Sequence, residues 1–433
     1  MARTADAVII GAGVIGAAIG LELARRGLRV LNIDKGPAPG TGSTGASCAI
    51  IRVHYSTLDG TAVAWDSYHD WARWRDWLEA PPGEELARFN ECGCLVMKTP
   101  LNGMLEKVAG HSATLGIPHE HWDGAAIRAR LPIYDLTSYA PPRRIDDPDF
   151  GKPAGGEIEG GVFWPTAGWI SDPALATANL VRAAARHGGE AEFRREVTEI
   201  LTHGGRVMGV RLDDGSEVHT PVVVNVAGPA SHRVNAMAGV TEDMRITTRP
   251  LRVEVCKVPS PPGFDFERDG IVVSDSDIGC YVRPETGGIL IGSEDPPCDP
   301  REFVDERDFN RGFTDQWTNQ VHRYALRVPS LPIPSRASGV VDLYDVTEDW
   351  IPIYDRSSLP GFYMACGTSG NQFKNAPGVG RMMAALIEAC ESGHDHDAEP
   401  LEVELPNIGR KISMGFFSRR REVNPESSGS VLG

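Results

Sequence analysis

The sequence predicts an α/β protein whose first domain is a parallel, wound sheet interrupted by insertions. Three observations carry this. The first 35 residues run strand, glycine turn, helix, strand. A later hydrophobic strand, Val222 to Val226, ends in Ala227-Gly228 and returns the chain to the same kind of sheet. Between and after these lie two stretches whose composition breaks the pattern.

Val8, Ile9 and Ile10 form the short apolar run of a buried parallel strand. It stops at Gly11, and Gly11, Gly13 and Gly16 have the G-x-G-x-x-G spacing. The first glycine permits the turn, the second admits a pyrophosphate close to the backbone, and the third lets helix pack on strand. The helix Val14 to Arg26 points its positive end at the phosphates and stops at Gly27. The next strand, Leu28 to Ile33, delivers Asp34, followed by Lys35, where a carboxylate can accept hydrogen bonds from both ribose hydroxyls and disfavours a 2′-phosphate. This is a Rossmann-type adenine dinucleotide site.

A loop of small residues runs from Gly36 to about Ser56 at the phosphate end and contains Ser43, Thr44, Ser47 and Cys48. A helix resumes near Thr61, with Trp65, Tyr68, Trp71, Trp74 and Trp77 marking an apolar face that reads as core. From about residue 90 short strands such as Cys94 to Lys98 alternate with a helix near Leu101 to Leu115, then Pro and Asp accumulate. This is a first insertion. Ser171 or Asp172 with Pro173 starts a helix that Gly188 ends. Three short strands follow, turning at Gly204-Gly205 and Asp214-Gly215. Strands at Leu251 to Val258, Gly279 to Arg283 and Gly288 to Gly292 mark a second insertion. A strand at Gly361 to Ala365, the turn CGTSGNQFKNAPG and a helix through Glu391 complete the pattern. The division expected is a discontinuous dinucleotide domain at 1–89, 157–236 and 336–404, a second domain at 90–156 and 237–335, and a polar, mobile tail at 405–433 that includes a solvent-exposed Arg419 to Arg421.

Composition excludes other classes. With 43 Lys+Arg against 59 Asp+Glu the net charge is −16, which argues against a nucleic-acid partner. No apolar run nears the ~20 residues of a membrane span, and no cleavable leader is evident, so a cytoplasmic location is expected. Eight cysteines without paired CxxC motifs read as reduced thiols. His119-Glu120-His121 and His394-Asp395-His396 read as solvated surface, so no metal is expected. Cys92-Gly93-Cys94 reads as two buried thiols.

Together GAGVIG, Asp34-Lys35, GSTGASCAIIR, YVRPETGGILIGSE, DLYDVTEDWIPIYD and GTSGNQFKNAPGVG resemble the D-amino-acid oxidase/glycine oxidase superfamily, in its sarcosine oxidase and dimethylglycine dehydrogenase branch, over residues 5 to 395. The resemblance implies an FAD domain interleaved with a substrate domain built on a large mixed sheet. The glycine-rich loops Gly42 to Cys48 and Gly367 to Phe373, with Gly370 and Asn371, can bring backbone donors to a flavin, and Val197 with Ala227-Gly228 would flank the adenine side.

By the same resemblance Arg52 and Lys374 match the arginine and lysine that grip a substrate carboxylate. Arg supplies a planar fork and Lys a point charge. Tyr344 matches a tyrosine lining the site, with a core role equally open; His54 is an acid/base candidate or a structural imidazole; Tyr281 and Arg283 read as structural. The family's covalent flavin attachment points fall on Asp342 and Ala46, so FAD is expected to be non-covalent. The lysine associated with oxygen activation falls on Leu290, and an active-site histidine falls on Glu294, which changes the charge the substrate meets.

The function implied is oxidation of a secondary or N-methylated amino acid by hydride transfer to FAD, giving an imine that hydrolyses. Its partners would be the amine substrate and either oxygen or an electron-acceptor protein. The alternatives are a dehydrogenase feeding a protein or quinone, a D-amino-acid or opine oxidoreductase, and a non-catalytic flavin-bearing subunit of a larger complex. Homo- and hetero-oligomers stay open.

Overall fold

The computed structural model describes residues 3–432 and is organised by two sheets meeting at one cavity. The first is six-stranded, in the order Glu190–Phe193, Val30–Asp34, Ala7–Ile10, Val223–Asn225, Phe362–Cys366, Ile353–Arg356. All neighbours are parallel except the last pair. Its inner strands Ala7–Ile10 and Phe362–Cys366 are fully buried apolar runs because both faces are covered, while the edge strand Glu190–Phe193 is polar and partly exposed. Helices Val14–Arg25, Pro173–Arg186 and Ala376–Glu391 pack on one face, and the meander Val197–His203, Arg206–Leu212, Glu217–His219 on the other. Gly380 lets two of these helices approach closely, since a Cβ there would stand 2.7 Å from the Ala18 carbonyl oxygen. The helix at Pro173 starts as expected, with Asp172 accepting from Leu175 N–H at 2.8 Å.

The second sheet has nine strands and is mixed. Arg249–Pro259, Gly288–Ser293, Cys280–Glu285 and Val272–Asp275 run antiparallel in succession, and Val272–Asp275 then pairs parallel with Cys94–Met97. Alternation along these strands divides the sheet's faces. Val258, Val282 and Ile291 face the core under helix Asp315–Arg327, whereas Val255, Tyr281 and Leu290 face the other way. That second face forms part of the cavity wall.

Two segments depart from the expected division. Gly160–Trp164 pairs with Cys94–Met97, and Gly339–Val346 runs antiparallel to Arg249–Cys256, so both belong to the large sheet although expected with the dinucleotide domain. Their apolar runs fit either sheet, and only the long-range partner decides. The last segment is likewise packed rather than a free tail. Glu402–Leu405 and Arg410–Ser413 form a hairpin, and Arg419 is 0% exposed. Its guanidinium bonds Asp355 and Asp397 at 3.0 and 2.8 Å and also Asp243, while Arg421 pairs with Asp349. These carboxylates come from distant segments and compensate the buried charge, a complementarity a run of arginines does not announce. His396, expected on the surface, is buried beside Asp355. No helix among the described residues is long and apolar enough to cross a membrane.

Candidate functional site

A continuous cavity of about 440 Å³ begins at the glycine turn and ends at a pair of buried cations. At the first end, Gly11 has φ +119°, and a Cβ there would lie 2.3 Å from the Val226 carbonyl oxygen; at Gly16 it would lie 2.3 Å from the Gly11 carbonyl oxygen. Gly13 is different: a Cβ would meet only Thr44 Oγ1, at 3.0 Å, so its backbone faces the open cavity. The Asp34 carboxylate accepts from Ala12 N–H and Gly36 N–H, both at 2.7 Å, and thereby holds the turn at its rim. Asn32 Nδ2 donates to the Gly11 and Gly16 carbonyls from the buried side.

The small-residue loop bridges the two sheets. Thr44 Oγ1 accepts from Val14 N–H at 3.1 Å, capping the first helix, and Ser43 Oγ donates to the Leu343 carbonyl of the large sheet at 2.9 Å. Cys48 lies buried with Sγ 3.7 Å from Tyr281 Oη, which is 3.3 Å from Tyr344 Oη. The second glycine loop is held by buried Asp345, which accepts from Gly367 N–H and from the backbone and hydroxyl of Thr368. Gly370 lies flat on Tyr344, since a Cβ there would stand 2.5 Å from its ring.

At the far end Arg52 and Lys374 stand on Tyr55, with the guanidinium carbon and Nζ 4.5 and 4.6 Å from its ring centroid. Both are buried, at 7% and 3% exposure. Arg52 donates to the backbone carbonyls of His54 at 2.5 Å and Val431 at 3.0 Å, and Lys374 to that of Asn371 at 2.5 Å. Neither forms a salt bridge with a described residue, although burial and mutual repulsion hold the Lys374 ammonium well below the usual lysine range. Hydrogen bonds tie the surrounding scaffold together: Tyr55 Oη donates to Asn371 O and accepts from Asn375, and Trp71 Nε1 donates to Lys374 O at 2.7 Å. The tryptophan stripe is core, and one of its members fixes the backbone of a site lysine.

Two titratable groups border the cations. His54 stacks on Trp164 at 4.0 Å, its Nδ1 is buried without a partner, and burial, then Arg52 and Lys374, hold it well below the usual histidine range. Glu294 accepts from Ser274 Oγ at 2.5 Å and Asp275 N–H at 3.0 Å; its other oxygen has no partner, and burial pushes the carboxyl up to about 8.

The cavity brings together Gly11, Gly13, Gly16, Asp34, Lys35, Ser43, Thr44, Ser47, Cys48, Arg52, His54, Ala227, Gly228, Tyr344, Gly370, Asn371, Phe373 and Lys374. Val197 instead starts a meander strand in the core, Gly367 shapes its loop from behind, and Glu294 stands one layer back through Ser274. Sequence reasoning missed Tyr55, Asn32, Asp345 and Cys94. Tyr55 could have been noticed as an aromatic residue between Arg52 and the following helix. It also missed the loop Glu306, Phe309, Arg311, which reaches the cavity mouth because Arg252 holds the Asn310 and Gly312 carbonyls. Among the described residues no group of three or more His, Cys, Asp or Glu side chains could hold a metal ion.

The open backbone at Gly13, the helix start beyond it and the acid at the rim suit the adenine-pyrophosphate half of FAD, and the cavity continues to the large sheet where its reactive ring would lie. Comparison with known proteins agrees. The glycine oxidase of Geobacillus kaustophilus is 26% identical over 420 residues, covering 94% of this chain and 100% of that protein. The formaldehyde-forming 4-methylaminobutanoate oxidase of Paenarthrobacter nicotinovorans is 24% identical over 409 residues, covering 90% of this chain but 44% of that longer protein. The crystal structure of L-proline dehydrogenase from P. horikoshii superposes with a TM-score of 0.75 at 22% identity, covering 97% of this chain and 98% of that one, and so shares the fold. The FAD dependent oxidoreductase (DAO) model matches residues 6–386, and the chain belongs to that family of FAD enzymes.

Proposed function

We propose that this protein oxidises the C–N bond of a carboxylated amine, a secondary or N-methylated amino acid, to an imine that hydrolyses. One observation carries the reading. Two cations, Arg52 and Lys374, are buried side by side at the end of the cofactor cavity with backbone carbonyls as their hydrogen-bond acceptors and no ion pair to a described residue. Uncompensated buried charge is costly, and a ligand carboxylate relieves it. The 4-methylaminobutanoate oxidase and glycine oxidase, both of which by name act on carboxylated amines, support the same class.

FAD, held non-covalently, would supply the hydride acceptor. The chain's part is to bind and orient. Arg52 offers its planar fork and Lys374 its point charge to the carboxylate, which fixes the amine-bearing carbon. The uncharged imidazole of His54 lines the cavity beside the cations and can take a proton from the amine, and a carboxylate bound to those cations makes it more basic. Glu294, largely protonated at pH 7, presents a hydrogen-bonding rather than a charged face behind Ser274.

The test is anaerobic bleaching of the flavin with N-methyl amino acids, D-amino acids and opine-type amines. A response shared equally by amines lacking a carboxylate would overturn the reading. A second reading, electron delivery to a protein or quinone, is favoured by Leu290, an apolar residue on the cavity-facing side of the sheet. Faster turnover with a dye acceptor than with oxygen would support it.

A further inference from the structure

The segment Asn424–Leu432 has no regular secondary structure, yet it crosses the molecule to the cation end of the cavity. It is tied down along its length by separate weak bonds. Ser427 Oγ donates to the Asp349 carbonyl at 2.5 Å, Ser428 N–H to Ser56 Oγ at 3.2 Å, and Arg301 Nη2 to the Gly429 carbonyl at 2.9 Å. Val431 is 8% exposed and packs with Leu251, Val255, Tyr281 and Leu290, and both Val431 and Leu432 line the cavity. The Val431 carbonyl accepts from Arg52 Nη2 at 3.0 Å, while His54 O takes the other terminal nitrogen.

We propose that this strap is a substrate-displaceable lid: the Val431 carbonyl holds the fork nitrogen of Arg52 that a substrate carboxylate claims, and carboxylate binding releases the strap. The proposal rests on Arg52 as the carboxylate anchor. A carbonyl oxygen carries only a partial charge and one point of attachment, so a charged, two-pronged carboxylate replaces it favourably on a guanidinium. A neutral ligand gains no such advantage. The lid therefore opens to the charge the site is built for, and while closed it keeps Arg52 satisfied and the apolar wall of Tyr281 and Leu290 covered by Val431.

Hydrogen exchange on the full-length holoenzyme tests this with methoxyacetate, a carboxylate with no oxidisable nitrogen, and methoxyacetamide, its neutral counterpart. Methoxyacetate is expected to speed exchange of the amides at 428–432, and methoxyacetamide at equal concentration is not. In Arg301→Ala, which removes one tie of the strap, methoxyacetate should bind roughly two- to tenfold more tightly as read from the flavin spectrum. If methoxyacetate perturbs the wild-type flavin but leaves 428–432 unchanged, and Arg301→Ala binds it no better, the lid is wrong while the anchor stands. If methoxyacetate fails to bind the wild type, or binds Arg52→Ala as tightly, the anchor itself is wrong and the lid falls with it.

Discussion

The two ends of the cavity are built in opposite ways. At the nucleotide end, Gly11, Gly16, Asn32 and Asp34 hold one another within a single βαβ unit, and every hydrogen bond among them spans fewer than about 25 positions of one contiguous stretch. At the cation end, the proposed substrate end, Arg52 and Tyr55 meet Asn371, Lys374 and Val431, residues more than three hundred positions away. The first end is a rigid cradle whose shape comes from the backbone. The second is a charged pocket whose shape depends on the whole fold closing around it, and unpartnered polar atoms of His54 and Glu294 border it. A cofactor that stays needs the former; a ligand that comes and goes needs the latter.

The largest expected effect breaks the nucleotide end. Gly11→Val places a branched side chain at φ +119° and within 2.3 Å of a backbone carbonyl that belongs to the next strand, so strain and overlap combine. The purified variant should carry essentially no flavin absorbance and should melt well below the wild type. Next comes Arg52→Ala at the other end. Here flavin binding should persist while affinity for a carboxylated amine in anaerobic reduction falls about 100-fold, with Lys374→Ala weaker by a smaller factor. Equal losses of flavin in Gly11→Val and Arg52→Ala would erase the distinction between the two ends.

That distinction also explains what the sequence made legible. The glycine spacing, the terminal acid and the helix cap at Asp172 are local devices, so their geometry follows from neighbours along the chain. Arg52 and Lys374 were visible because each sits in a recognisable motif, but their shared platform, Tyr55, was not, since nothing in its neighbours says that a loop three hundred residues later lies across the ring. The same holds for Gly339–Val346, which pairs with a strand ninety residues earlier, and for Arg419, whose acidic partners come from three separate segments. Long-range pairing is set by the closure of the whole core and leaves no periodicity to read.

A milder probe of the substrate end is its pH dependence. The Glu294 carboxyl is raised from its ordinary 4.5 to about 8 by burial, so between these values the folded state holds a proton that the unfolded state has released. Its contribution to stability is therefore complete below about pH 4.5 and is lost as pH rises toward 8, with a slope of at most ~1.4 kcal/mol per pH unit. Glu294→Gln keeps the bond to Asp275 N–H and removes the proton, so the difference in stability between variant and wild type should grow in the variant's favour from pH 5 to pH 8 and then level off. Denaturant titrations at stepped pH measure this. A constant difference would mean that Glu294 stays ionised, and that the cavity wall behind Ser274 is charged.

The smallest effect separates the two roles of Tyr55. Its ring carries the cations and its hydroxyl ties Asn371, Asn375 and Gln372 into the scaffold. Tyr55→Phe preserves the ring and leaves the Asn371 carbonyl with Lys374 Nζ as a remaining donor, so the loss should be about 1 kcal/mol of stability and no more than a fewfold change in substrate affinity. Tyr55→Leu removes the π face as well. Because both cations stand on the ring, the second change should act on affinity more than on stability, adding about 1 to 2 kcal/mol to the loss of binding. If the two variants bind substrate equally, the ring is merely a spacer and the cations are positioned by their backbone carbonyls alone.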